Sequence, residues 1–196
     1  MPKLWEETIE AHRRQVRDTI LDTTARLVAE HGLRAVTMSQ IAQDSGIGRA
    51  TLYKYFSGVE EILQAWHQHR IAGHLEQLRE ASNRPEGARD RLEAVLLAYG
   101  RMLRQRGQHH RQQPHGEQLA ALLHRGDQVA PAEQQLRDLI RNLLVEATHA
   151  GDVRDDISPD ELVAYCLHAL DAAHTLESEA ALQRLLTVVL VGLQPD

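Results

Sequence analysis

Apolar side chains recur at intervals of three and four residues along nearly the whole chain, the spacing of helices buried on one side. The first run spans about Thr8 to His31, with Val16, Ile20, Leu27 and Val28 on one face and Gly32 as its stop. A short second run follows, in which Met38, Ile41 and Ala42 form the apolar side. Thr37 caps it, with Gln40 in the third position of a capping box. Gly46 suits a turn that takes positive φ, and Ile47 is the apolar plug behind it. The third run, Arg49 to Tyr55, divides by period: Leu52 and Phe56 share one face, Ala50 and Lys54 the opposite one. Tyr53 flanks that outer face on one side, Thr51 and Tyr55 on the other.

Longer helices are predicted beyond. One runs from Val59 to about Ala81, carrying Ile62, Leu63, Trp66, Ile71, Leu75 and Leu78 until Ser82-Asn83-Arg84-Pro85 breaks it. The next, about Gly87 to Arg106, buries Leu92, Val95, Leu96, Tyr99, Met102 and Leu103. Residues 107–116 are polar and aperiodic and predict a loop, with a short helix over about Glu117 to Arg125 after it. Pro131 lies in the first turn of a helix that carries Leu136, Leu139, Ile140, Leu143 and Leu144 and ends at Gly151. Ser158, Pro159 and Glu161 supply a cap, an opening proline and a capping box for a helix to about Leu176. The last helix, about Glu179 to Leu193, is apolar on much of its circumference and needs cover on several sides. A partner subunit is the expected cover, through Leu182, Leu186, Val189 and Leu190. The pattern as a whole predicts an all-α protein of about nine helices, with a three-helix head over 1–58 and a helical bundle over 59–196.

Composition points the same way. Apolar residues are 42% of the chain, enough for a core, while aromatics at 4% are too few for an all-β sandwich. The single cysteine, Cys166, excludes an internal disulfide and fits a reducing cytoplasm. From Trp5 onward the N-terminal stretch is polar and acidic, so no signal segment is expected. The longest apolar run, near Leu185 to Val191, is far short of a membrane span. A soluble cytoplasmic protein without a membrane partner is expected.

A net charge of −6 argues against indiscriminate attraction to DNA. Its distribution changes that picture. Residues 1–58 hold eight Lys and Arg against seven Asp and Glu, whereas 59–196 hold fourteen against twenty-one. A near-neutral head on an acidic body suits a protein that touches DNA through its head alone.

Residues 37–62 have the pattern of a helix-turn-helix, which lays one short helix in the DNA major groove. Tyr53, Tyr55 and Phe56 crowd four residues, a costly surface for a plain globule but a sensible rim for phosphate contact. Here the chain resembles the TetR family of transcriptional regulators. Thr37, Ile41-Ala42, Gly46-Ile47 and the run Thr51 to Phe56 match the family pattern, and Glu60-Glu61-Ile62 continues it. The match is specific over about residues 14–63 and architectural beyond. Three residues depart from it: Gly48 replaces a serine cap, and Gly58 and Val59 replace Ser-Lys, removing a phosphate-contacting lysine.

The resemblance implies a homodimeric repressor that binds a palindromic double-stranded DNA operator and is released by a small-molecule effector. It makes Thr37, Tyr53, Lys54 and Tyr55 backbone contacts, with Thr51 on the same rim. Arg49 reaches either a guanine edge or a phosphate, and Ala50 either permits close approach or touches a thymine methyl. It also implies an effector pocket in the body, for which Trp66, Arg70, Tyr99, Met102, Tyr165 and His168 are candidates.

Other chemistry is thin. The carboxylates of 152–161 lack EF-hand spacing and read as a helix cap. Gly46-x-Gly48 follows no strand and lacks the third glycine of a dinucleotide fingerprint. Twelve histidines raise the question of metal, yet His67 and His69 point to different sides of a helix, and no His-Glu-x-x-His or Cys-His cluster appears. Cys166 has no activating base nearby in sequence. No cofactor, metal site or catalytic residue is therefore expected. Two other readings stand beside the regulator: an effector- or metal-binding scaffold without operator function, and a metal-dependent enzyme, for which no convergent ligand set is found.

Overall fold

The computed structural model describes residues 2–112 and 129–195, with side chains over 9–108 and 130–195. Among these residues there are eight α-helices, two short 3-10 turns and no strand. The helices are α1 (Pro2–His31), α2 (Met38–Ser45), α3 (Arg49–Tyr55), α4 (Val59–Ser82), α5 (Ala88–Gln112), α6 (Val129–His149), α7 (Pro159–Asp171) and α8 (Glu179–Gly192). The 3-10 turns are Leu33–Ala35 and Ala172–Thr175. The described residues up to Arg70 form one compact unit, and those from Ile71 onward form another. The division falls inside α4 and not at its start near residue 58, because Ile62, Leu63 and Ala65 are buried with the head.

In the head, the predicted apolar faces all turn inward. Ile20, Leu21, Leu27 and Val28 of α1 meet Val36, Ile41, Leu52, Phe56, Ile62 and Leu63 in one cluster. Side chains of this kind each contribute about 1.5–3 kcal/mol on burial. Thr24, wholly buried among them, stays satisfied because its hydroxyl donates to the Ile20 carbonyl at 2.8 Å. Arg26 ties α1 to α2 through Asp44 at 3.0 Å while also holding Glu30. α1 begins at Pro2, earlier than its sequence pattern suggested, and residues 9–15 of that extension are all exposed.

In the second unit, α5 is the central helix, packed against α6, α7, α8 and the Ala172–Thr175 turn. Leu92, Val95, Leu96 and Leu103 meet Ile140, Leu144, Val163, Leu170, Leu182 and Val189. Two glycines of α5 permit close approach. A Cβ on Gly100 would lie 2.7 Å from Leu182 Cδ1, and one on Gly107 would collide with the His174 carbonyl oxygen. Arg101 and Arg104 hold Glu179 at 2.6 and 2.9 Å, fastening the start of α8 to α5.

Two sequence expectations need revision here. Residues 107–112, expected in a loop, continue α5 as helix, since Gly107 serves tertiary packing rather than a turn. The helix opened by Ser158 ends at Asp171 and tightens into the 3-10 turn instead of continuing to Leu176. The short helix expected over 117–125 lies outside the described residues.

Candidate nucleic-acid interface

The interface is built from local sequence signals. Thr37 closes the expected capping box: its hydroxyl accepts the Gln40 amide at 3.3 Å, and its own amide donates to Gln40 Oε1 at 3.2 Å. α2 ends at Gly46, with φ 68° and ψ 15°. There the Gly46 amide donates to the Gln43 carbonyl at 3.3 Å and the Ile47 amide to Ala42 at 3.1 Å, the two bonds of a Schellman ending. Ile47 then packs on the head core. This turn sets the direction in which α3 departs.

α3 presents its two faces as the sequence period required. Leu52 is fully buried and Phe56 nearly so, which anchors the helix. Arg49, Ala50, Thr51, Tyr53 and Lys54 are all exposed, Tyr53 by 58%. Tyr55 is half-buried, with its ring 6.5 Å from that of Phe56, so it reaches the rim with its body held by the core. Thr37 is exposed beside the start of α2. The result is an uncovered helical face with a small residue in its centre, two cations, and hydroxyls around it. Gly48 caps α3 through its carbonyl alone, accepting from Thr51 and Leu52 at 2.9 Å each, with no side-chain contribution.

Sequence reasoning missed the link between α3 and α4. Both the amide and the hydroxyl of Ser57 donate to Glu61 Oε2, each at 2.7 Å. The Ser57 hydroxyl, then its amide, hold the Glu61 carboxyl below its ordinary value. The signal was present as a serine four residues before a glutamate at a helix start.

The effector candidates are not all brought together. Trp66 and Arg70 belong to the first unit, with the guanidinium 5.3 Å from the indole centroid. Tyr99 and Met102 are half-buried on α5 against the second core. Burial, then Asp171, raises the Tyr99 phenol above its ordinary value. Tyr165 and His168 point out from α7 and are exposed, so they do not join Tyr99 and Met102.

The expected partner-facing residues also need correction. Leu182, Leu186 and Val189 are buried in their own subunit's core, and Leu190 is half-buried. A helix apolar nearly all round has two seams, and the one richest in leucine faces α5. The other seam leaves Val188 65% and Val191 56% exposed. Tyr165, 39% exposed, lies across Gly192, where a Cβ would strike its hydroxyl. Tyr165, Val188 and Val191 are therefore the apolar side chains that α7 and α8 leave uncovered.

Among the described residues, no three His, Cys, Asp or Glu side chains converge as a metal set. The carboxylates after α6 do structural work: Asp156 pairs with Arg154 at 2.6 Å, and Glu161 accepts from both the amide and the hydroxyl of Ser158. Cys166 is buried, and burial pushes its thiol up to about 12.

A three-helix head whose second and third helices form a capped turn, with the third helix uncovered, defines the helix-turn-helix class of DNA-binding regulators. Residues 20–66 match the family described as "Bacterial regulatory proteins, tetR family", and residues 93–195 match "Transcriptional regulator SbtR-like, C-terminal domain". The chain belongs to the TetR family of transcriptional regulators.

Individual relatives are more distant. The chain is 28% identical over 96 residues to the HTH-type transcriptional regulator BetI of Brucella anthropi, spanning 49% of this chain and 46% of that one. It is 26% identical over 84 residues to the fatty acid metabolism regulator protein of Bacillus subtilis, spanning 43% of each. The chain thus matches less than half the length of either relative. A solved TetR/AcrR-family regulator from Thermobifida fusca YX-ER1 shares the fold, with a TM-score of 0.70 at 19% identity, covering 90% of this chain and 97% of that one.

Proposed function

We propose that the protein is a homodimeric repressor that leaves a palindromic operator when a small-molecule effector binds its body. The observation that carries this reading is the orientation of α3, with Leu52 and Phe56 anchored and Ala50 and Lys54 turned outward. In the groove, Ala50 gives room for close approach or meets a thymine methyl, and Arg49 takes a guanine edge or a phosphate. Thr37, Thr51, Tyr53, Lys54 and Tyr55 contact the flanking backbone. No metal, cofactor or catalytic step enters this work. Its setting is the cytoplasm, where DNA is available. Among the described residues no helix is long and apolar enough to cross a membrane.

The second copy covers the α7–α8 seam of Tyr165, Val188 and Val191, giving a four-helix interface about a two-fold axis. The two α3 helices then meet major grooves about 34 Å apart or a multiple of it. Tyr99 and Met102 support an apolar or aromatic effector near α5. Release requires that the effector bind the non-operator state more tightly.

Tyr53→Ala tests the interface. The duplex is one selected from a random-sequence pool by the wild-type protein. The variant should keep its helical spectrum and its mass in solution yet bind that duplex about tenfold more weakly. Unchanged affinity would count against the assignment of this face.

A further inference from the structure

We propose that the middle of α4 is a built-in flexure, set by Gly73, that controls how firmly the DNA-binding end of the helix is held. The two ends of α4 are anchored in different cores, Ile62, Leu63 and Ala65 in one and Leu78 and Ala81 in the other. From residue 66 to 77, about three turns, no side chain is buried. Helices in proteins owe most of their stability to the packing of an apolar face, so this span is the least supported part of α4.

Gly73 lies within that span. Glycine in a helix interior weakens the local helix about fivefold relative to alanine. Packing does not ask for it: a Cβ at Gly73 meets no atom within 4 Å, and its φ is not positive. Gly100 and Gly107 are different, because there a Cβ would strike Leu182 or the His174 carbonyl. A helix-weakening residue that no neighbour requires, placed where the helix has no core support, has softness as its remaining physical effect. The compact units also divide at this point, between Arg70 and Ile71.

The regulatory half of this inference rests on the proposed repressor function; the flexure itself does not. Amide hydrogen exchange on the full-length protein tests the flexure directly. Amides of residues 67–77 should exchange roughly tenfold or more faster than those of 61–65 and 78–81. Gly73→Ala should slow the middle about fivefold, and Ala72→Gly should speed it by a similar factor, with the flanks unchanged. A middle as protected as its flanks, or one indifferent to Gly73→Ala, would overturn the proposal.

Operator binding tests the consequence, with the same selected duplex. A stiffer α4 loses less conformational freedom on ordering, so Gly73→Ala should tighten binding and Ala72→Gly should loosen it, each by up to about fivefold. Equal affinities for all three proteins would overturn the regulatory role. Failure of every form, wild type included, to bind any duplex would overturn the repressor reading instead and leave the exchange result standing.

Discussion

Leu52 and Lys54 sit two residues apart on α3 and face opposite ways, so anchoring and DNA contact can be tested separately. Leu52 is fully buried, and Leu52→Ala should destabilise the protein by about 2–5 kcal/mol, seen as a lower midpoint in urea. Lys54 is exposed, and Lys54→Ala should leave that midpoint within about 0.5 kcal/mol. It should instead weaken operator binding and reduce the slope of log affinity against log salt by about 1, the signature of one lost phosphate contact. A lowered urea midpoint for Lys54→Ala would mean that its side chain packs, against the geometry described. This division was legible in the sequence because it depends only on helical period. The fate of Tyr165 was not: an aromatic on an amphipathic helix faces either a core or a partner, and only Gly192 on α8 decides which surface it covers.

Among the elements, those whose ends are set by neighbours in the chain were read well. Thr37 with Gln40 and Ser158 with Glu161 each form a capping box at the expected place, since both bonds span three residues. These caps also give the fold an acid-side dependence. Hydrogen bonds from Ser158 hold Glu161 below its ordinary 4.5, and Ser57 does the same for Glu61. A carboxyl lowered in the folded state contributes stability that is full above the unfolded value and is lost as pH falls through the folded one. The melting temperature should therefore be flat above about pH 5 and drop below about pH 4.5. Glu161→Gln should flatten part of that acid limb, and a limb identical to wild type would show the cap to be without weight. α5 shows the opposite case. Gly107 and the polar residues after it looked like a loop, because the reason for the glycine lies sixty-odd residues away in the His174 carbonyl. Gly107→Ala improves helix propensity yet forces that carbonyl aside, so it should lower the thermal midpoint. A rise would mean that the Ala172–Thr175 turn yields easily.

For the molecule as a whole, the remaining question is which side of α8 meets another subunit. Sequence reasoning chose Leu182, Leu186, Val189 and Leu190 because they are large and periodic, but those qualities describe any buried seam, including an internal one. Three of the four are spent within the subunit. What marks an external seam is apolar area left over, and Val188 and Val191 supply it on α8 beside Tyr165 on α7. Aspartate at Val188 and Val191 together should leave the helical spectrum and thermal midpoint of the subunit largely intact, since both side chains are more than half exposed. Sedimentation should then report monomers. Leu186→Asp should instead unfold the protein, because it buries a charge in the core. The two outcomes separate a partner surface from a core surface on the same helix. Operator binding by the Val188 and Val191 variant should fall well beyond the loss of one contact, because a single head gives up the second half-site and its effective concentration. A variant that remains dimeric with its fold intact would move the interface away from this seam and require another apolar face to take its place.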